Sequence, residues 1–225
     1  MSSEFGKEYW DFVERKFRAG YTFESLQPLL NRYMSWIKKY FGESNVRVLD
    51  VGCGFGYFLK KCDEKQWETY GVDISEYAIS EAETYTKAKL LLQNVENGLP
   101  TFGDEYFDLV VILDVIEHLH SPHVVLRECH RVLKPCGKLA VATPNLGAIE
   151  RLFLKLRGKQ NRWHGFYDET HIRLFTPTSL KLLTERIGFR TVELKTPFQP
   201  LPTFVSKILE KSNLGGKIWL LAEKY

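Results

Sequence analysis

Short apolar runs alternate along this chain with segments in which apolar residues recur every three or four positions. The segments 46–51 and 107–113 have the length and the aliphatic content of strands, and 68–74, although more polar, is predicted as a further strand. The segment 107–113 is continuously apolar after Asp108, as expected for a strand that is covered on both faces. Strands that alternate with helical segments at this spacing predict a parallel sheet with helices on both sides.

Capping and stop signals mark several helix boundaries. Ser121-Pro122 and Thr176-Pro177 each combine a capping residue with a proline, which suits the first helical position. Pro135 and Gly188 are the predicted ends of the helices that follow. With the periodicity, these signals predict N-terminal helices within 1–42 that stop at Gly42, helices from 57 and over 76–88, and further strands at 90–92, 138–143, 190–195 and 217–223.

Composition restricts the class of protein. Hydrophobic residues are 44% and charged residues 26%, the balance of a globular chain that is neither disordered nor membrane-embedded. The first residues lack the order of a signal peptide, and the four cysteines form no CxxC pair that would suggest zinc. These features predict a cytoplasmic protein with reduced cysteines.

Charge is informative through its distribution. A net charge of +3 is too small to indicate a nucleic-acid partner. Lysine and arginine nevertheless concentrate over 151–162, interleaved with leucine and phenylalanine. This stretch is most simply a solvated helix face, and the alternative is peripheral contact with an anionic membrane, to which the apolar segment 204–209 would add.

A glycine-rich turn carries the first sign of chemistry. The first strand runs into Gly52-Cys53-Gly54-Phe55-Gly56, which permits a tight turn and the close approach of a ligand to the backbone. The second strand ends at Asp73, where a carboxylate can accept hydrogen bonds from both ribose hydroxyls of a nucleoside. Tyr57 occupies the place where a dinucleotide fingerprint has its third glycine. The pair therefore predicts an adenosine-containing ligand without a pyrophosphate.

The ordered motifs resemble those of class I S-adenosylmethionine-dependent methyltransferases. VLDVGCGFG at 48–56 resembles their first motif and GVDIS at 71–75 their second, and the likeness continues through 97–100, 107–110, 113–119, 133–139 and 143–145. It covers about residues 45–192 and is particularly similar to the branch that contains ubiquinone-biosynthesis-type O-methyltransferases and other small-molecule methyltransferases. The resemblance implies a cofactor, S-adenosyl-L-methionine, and a small-molecule acceptor.

The resemblance also implies a set of cofactor contacts. Asp50, Gly52 and Gly54 would hold the methionine part, and Asp73 the ribose hydroxyls. The remaining contacts would be Ile74, Asn94 and Val95 around the adenine and Leu113 beside the sulfonium. Relatives often have aspartate at position 94, so asparagine there predicts an altered affinity.

The predicted architecture is an α/β, Rossmann-like, doubly wound sheet of seven mostly parallel strands in a three-layer α/β/α sandwich, with an antiparallel last strand implied by the family. One methyltransferase domain would span 1–225. Within it we predict a helical cover at 1–42, a cofactor-binding core at 45–143 and a substrate-covering insertion at 144–175.

His118 and His171 are the candidate catalytic residues. Either could act as a general base for a hydroxyl acceptor. In a second interpretation Asp114, Glu117, His118 and His171 together bind a divalent ion, an arrangement that resembles small-RNA 3′-terminal 2′-O-methyltransferases; a helical step from 114 to 117 would place both carboxylates on one side. In a third these residues only orient loops, and the predicted site accordingly contains no metal.

The favoured function is methyl transfer from S-adenosylmethionine, with an oxygen of a small molecule as the acceptor. The alternatives are metal-assisted 2′-O-methylation of RNA ends, an S-adenosylmethionine-binding protein with non-methyl chemistry or none, and a dehydrogenase that uses NAD. The oligomeric state and the identity of the acceptor leave no signal in the sequence.

Overall fold

A computed structural model describes residues 5–16, 20–41, 45–149, 155–156, 158, 170–197 and 213–225. The described helices are α1 (Lys7–Lys16), α2 (Phe23–Lys38), α3 (Tyr57–Asp63), α4 (Glu76–Tyr85), α5 (Pro122–Val132) and α6 (Pro177–Ile187), with short 3₁₀ helices at Val95–Asn97 and Ile116–His118. The strands are β1 (Arg47–Val51), β2 (Glu68–Asp73), β3 (Lys89–Leu92), β4 (Phe107–Leu113), β5 (Leu133–Pro144), β6 (Phe189–Lys195) and β7 (Lys217–Lys224).

One sheet contains all seven strands in the order β3-β2-β1-β4-β5-β7-β6. β1 pairs with β2 and β2 with β3 in parallel, whereas β7 is antiparallel to both β5 and β6. The predicted Rossmann-like fold class is confirmed, as is the antiparallel last strand. In the part of the chain that the structure describes, no helix has the length and apolarity needed to cross a membrane.

The chain divides into two compact units. The first consists of Met1–Asn97 with Phe107–Val110, and the second of Gly98–Tyr106 with Val111–Tyr225. This division leaves the prediction of one domain over 1–225 as a prediction.

In the first unit the predicted elements form largely as expected. The N-terminal segment forms two helices, α1 and α2, on either side of Gly20, which has a φ of +76°. Thr22 caps α2 by accepting a hydrogen bond from the backbone N–H of Ser25. The strand β1 is buried from Val48 onward, because the sheet is covered on both faces. Gly42, the predicted stop, lies outside the described residues.

In the second unit two boundary predictions are wrong. α5 ends at Val132 and β5 begins at Leu133, whereas the sequence predicted an end at Pro135 and a strand from Lys138. The residue before a proline is biased toward extended conformations, so the helix ends upstream of Pro135. Ser121 precedes α5 but makes no capping hydrogen bond, because its ψ of 63° is not the extended value that aims a cap side chain at the helix.

Candidate cofactor site and titratable cluster

The loop after β1 adopts the conformation that its glycines allow. Gly52, Gly54 and Gly56 have φ values of +76°, +50° and +71°, a region that other residues rarely adopt. The backbone N–H groups of Gly52 and Cys53 both donate to the carbonyl oxygen of Val72, which ties the loop to β2. The local sequence therefore determines the shape of this turn.

The glycines of this loop have different neighbours. A Cβ on Gly56 would lie 2.9 Å from the Thr86 Cγ2 and 3.1 Å from the Ala82 Cβ, so this glycine serves the packing of α4. A Cβ on Gly54 would lie 3.0 Å from the indole of Trp10. The sequence predicted that both missing side chains make room for a ligand, but the space beside each of these two glycines is occupied by side chains of the protein itself.

Asp73 connects the end of β2 to the glycine loop. One carboxylate oxygen accepts from the backbone N–H of Gly54 and the other from that of Ser75, both at 2.9 Å. Burial raises the pKa of Asp73, and the hydrogen bonds from Ser75, Gly54 and Ile74 oppose that rise. Ser75 caps α4 by accepting from Ala78, as predicted, so Asp73 is not needed as the cap.

Asp50 is the second buried carboxylate of this unit. Its side chain is 3% exposed, and burial together with the charge of Asp73 raises its pKa to about 8. A positive charge placed nearby would favour the ionised form and relieve this cost. The site therefore suits a ligand that carries both a cation and a nucleoside.

The other predicted cofactor residues lie at the ends of β2, β3 and β4. Ile74 follows Asp73 and is half-buried. Asn94 uses its carbonyl oxygen to accept from the Glu96 N–H at 2.9 Å, which begins the 3₁₀ helix that contains the buried Val95. One lone pair of that oxygen is left for a further donor. Leu113 ends β4 within the second unit. Their contacts with a cofactor stay predictions.

A titratable cluster lies in the second unit. Glu117 is 1% exposed, and one carboxylate oxygen accepts from the hydroxyl of Thr143 at 2.9 Å. Its other oxygen is buried and has no hydrogen-bond partner among the described residues. Burial first, and then the charge of Asp114, raise the pKa of Glu117 above its usual value.

The two candidate histidines are in contact. The His118 and His171 rings are 4.7 Å apart at an angle of 73°. The His118 Nδ1 lies 2.9 Å from the hydroxyl and 3.1 Å from the carbonyl oxygen of Thr170, so its tautomer decides which of these it bonds. The Arg173 N–H donates to the Glu117 carbonyl at 3.0 Å, which holds 170–173 against the 3₁₀ helix.

Asp114 does not lie on one face of a helix with Glu117, as the sequence had predicted. It has a φ of +57° and precedes the 3₁₀ helix, so the predicted helical step from 114 to 117 is wrong. Its carboxylate forms an ion pair with Lys217. Glu117, His118 and His171 can each place one ligand atom within 4.8 Å of the others, and Asp114 is not part of this group.

Sequence reasoning missed Trp10, Thr143, Thr170 and Lys217 as parts of these sites. Each contacts its partner across at least 26 positions of the chain. Only Thr143 belongs to one of the motifs above, at 143–145, and nothing in the sequence indicated a role for that residue. The segment 204–209 lies outside the described residues, as does most of the basic stretch 151–162. Of the basic stretch, Lys155, Leu156 and Gly158 are described, and all three are exposed.

Comparison with known proteins identifies the family. The methyltransferase-domain family matches residues 18–194, and the chain therefore belongs to it. The predicted class I S-adenosylmethionine-dependent methyltransferase, with S-adenosylmethionine as cofactor, is confirmed.

Two similar proteins are ubiquinone biosynthesis O-methyltransferases, and both have low sequence identity to this chain. A ubiquinone biosynthesis O-methyltransferase of Pseudomonas fluorescens is 29% identical over an alignment of 137 residues, and the match covers 58% of this chain and 58% of the relative. The chain thus spans less than two thirds of that relative's length. Another ubiquinone biosynthesis O-methyltransferase, from Aromatoleum aromaticum, is 24% identical over 200 residues, covering 85% of this chain and 81% of the relative.

Solved structures share the fold. A SAM-dependent methyltransferase from Archaeoglobus fulgidus superposes with a TM-score of 0.73 at 26% identity, covering 96% of this chain and all of that one. The magnesium protoporphyrin IX methyltransferase of Synechocystis, solved with bound SAH, gives a TM-score of 0.71 at 16% identity, covering 100% and 98% of the two chains. The second likeness shows the fold alone.

Proposed function

We propose that the protein transfers the methyl group of S-adenosylmethionine to an oxygen of a small-molecule acceptor. The main observation in support of S-adenosylmethionine as the donor is the buried pair of carboxylates, Asp50 and Asp73, at the glycine loop of the first unit. The relatives named O-methyltransferases support oxygen as the acceptor atom.

The residues of the first unit have separable roles toward the donor. When bound, S-adenosylmethionine supplies an electrophilic methyl group on a sulfonium. Asp73 would accept the ribose hydroxyls, with its carboxylate already oriented by the N–H groups of Gly54 and Ser75. Asp50 would face the positively charged methionine part, because a cation stabilises a carboxylate that burial otherwise drives toward its neutral form.

A hydroxyl acceptor gains from a base, and His118 is our first candidate. When its Nδ1–H donates to the Thr170 carbonyl, the Nε2 becomes the basic nitrogen of the ring. His171, whose ring packs against that of His118, is the second candidate.

Metal-assisted methylation of RNA ends is the second candidate function, and the grouping of Glu117, His118 and His171 favours it. Two imidazoles and one carboxylate suit a transition-metal ion or zinc, and such an ion would lower the pKa of an acceptor hydroxyl. Methylation of an RNA 3′ end that chelator abolishes and Mn²⁺ or Zn²⁺ restores would establish this function in place of the first.

The test of the proposed function measures S-adenosylhomocysteine release from methyl-labelled S-adenosylmethionine in the presence of small-molecule extract. We expect the label in an ether or ester product. The rate of S-adenosylhomocysteine formation should fall at least about tenfold in the Asp73→Asn variant, because one backbone N–H then faces an amide donor. Glu76→Gln, which alters an exposed carboxylate three residues away, is the matched control.

Two results would contradict the proposal. A protein that binds S-adenosylhomocysteine, but forms none from S-adenosylmethionine in any extract, would be a binding protein without turnover. Saturable NAD binding without S-adenosylmethionine binding would indicate a dehydrogenase.

A further inference from the structure

We propose that Trp10 of α1 is a cofactor-binding residue that closes the Asp73 end of the S-adenosylmethionine site. This inference rests on the proposed function, since it assigns a wall to the same site. The indole Nε1 donates to the Ser75 hydroxyl at 3.2 Å in a buried hydrogen bond. The edge of the same ring lies 3.0 Å from the position of a Cβ on Gly54.

The position of the indole is fixed by neighbouring rings. The Trp10 ring lies 4.5 Å from that of Phe55 and 5.4 Å from that of Tyr21, centroid to centroid. The Tyr9 ring meets it edge-on at 5.4 Å. The residue is only 8% exposed, so the indole is held as a wall and does not sample solvent freely.

Trp10 and Asp73 contact the same two residues. Asp73 accepts from the backbone N–H groups of Gly54 and Ser75, and Trp10 packs on Gly54 and donates to the Ser75 side chain. A nucleoside whose ribose binds Asp73 therefore meets the indole. An aromatic wall there adds apolar contact area and keeps water from the ribose hydrogen bonds, which strengthens them.

The competing explanation is that Trp10 only anchors α1. Val13, on the same helix, is buried to a similar degree at 7% exposure. Val13→Ala thus weakens the packing of α1 without removing the indole, and it is the matched control. Trp10→Phe keeps an aromatic ring but lacks the N–H that bonds Ser75.

The experiment is calorimetric titration of S-adenosylhomocysteine into the 225-residue chain and these variants. We expect the Kd to rise about tenfold in Trp10→Ala, about threefold in Trp10→Phe and less than about twofold in Val13→Ala. Because Trp10 would touch the ligand, saturation should also change the tryptophan emission of the wild type, and most of that change should be absent from Trp10→Phe.

Other results overturn the inference. A Kd in Trp10→Ala equal to or below that of the wild type would show that the indole does not bind the cofactor, and an equal loss in Val13→Ala would show that only helix packing matters. If Trp10→Ala does not fold, wild-type affinity and a full emission change in Trp10→Phe would overturn it. A wild type that binds no S-adenosylhomocysteine refutes the proposed function itself, which is a separate result from a Trp10 variant that binds normally.

Discussion

At the scale of residues, the candidate sites contain three carboxylates that are buried. Asp50, Asp73 and Glu117 all have a raised pKa, with burial as the largest cause in each. The first two lie at the glycine loop and the third beside the histidine pair. A buried carboxylate lowers stability unless a partner compensates it, so each is a site where a ligand or an ion pair has a large effect.

Because the pKa of Asp50 is raised, the stability of the protein should depend on pH. Its pKa is about 8 in the folded protein, against 3.8 for the free side chain, so the folded state holds a proton that the unfolded chain releases between these values. The free energy of unfolding should therefore fall, relative to Asp50→Asn, by on the order of a few kcal/mol as pH rises from about 5 to 8. Urea unfolding at several pH values measures this difference.

Asp11→Asn, at an exposed carboxylate of α1, is the control for that series. It should keep the slope of the wild type. Parallel stability curves for the wild type and Asp50→Asn would show that Asp50 is ionised throughout.

If His118 is the general base, its replacement should reduce turnover without weakening the binding of the cofactor. Replacement by alanine should lower S-adenosylhomocysteine release by about 10²-fold or more, the usual contribution of a general base. The Kd for S-adenosylhomocysteine should change little. His120→Ala, at an exposed histidine two residues on, should leave both quantities unchanged. Intact turnover in the His118 and His171 alanine variants would remove the base assignment.

At the scale of elements, local signals predicted most helices and strands. The Thr176-Pro177 start and the Gly188 stop of α6 are both confirmed, and Gly188 has a φ of +116°. The errors occur where neighbouring segments decide the outcome, as at Leu133, where the chain passes from α5 directly into β5. The cap signal at Ser121 gives no capping hydrogen bond, and the ψ of 63° at this residue is not the extended value of a typical cap.

The capping box of α6 gives a stability prediction. The Thr176 hydroxyl accepts from the Ser179 N–H at 3.1 Å, and the Ser179 hydroxyl accepts from the Thr176 N–H at 2.9 Å. Thr176→Ala should lower the free energy of unfolding by about 1 kcal/mol, because one N–H at the start of the helix loses its partner. Thr178→Ala, at the exposed second position of the helix, should change it by much less, and equal losses would contradict the role of the cap.

At the scale of the whole molecule, the order of the motifs along the chain predicted the fold and the family. Binding of the cofactor should stabilise this folded state. Ligand at about 100 times its Kd adds about 2.7 kcal/mol, which for a chain of this length corresponds to a rise in Tm of about 5–10 °C. We expect this shift with S-adenosylhomocysteine and none with NAD in thermal unfolding. The reverse pattern would favour a dehydrogenase.

The sequence by itself determined the features that depend on neighbours in the chain. Alternating apolar runs and helical periodicity predicted the α/β architecture, because each element buries a face with its own period. The glycines after β1 and the acid at the end of β2 predicted the turn and the carboxylate of Asp73 beside it, at which we propose the donor binds, because backbone conformation and strand ends are local properties.

The tertiary structure alone decided which distant side chains complete these sites. Trp10 reaches Ser75 across 65 positions, and Lys217 reaches Asp114 across 103. The contact between the His118 and His171 rings, and the exclusion of Asp114 from the possible metal ligands, are of the same kind. Such contacts depend on how helices and strands pack, and packing is set by the sum of many weak interactions that leaves no local pattern in the sequence.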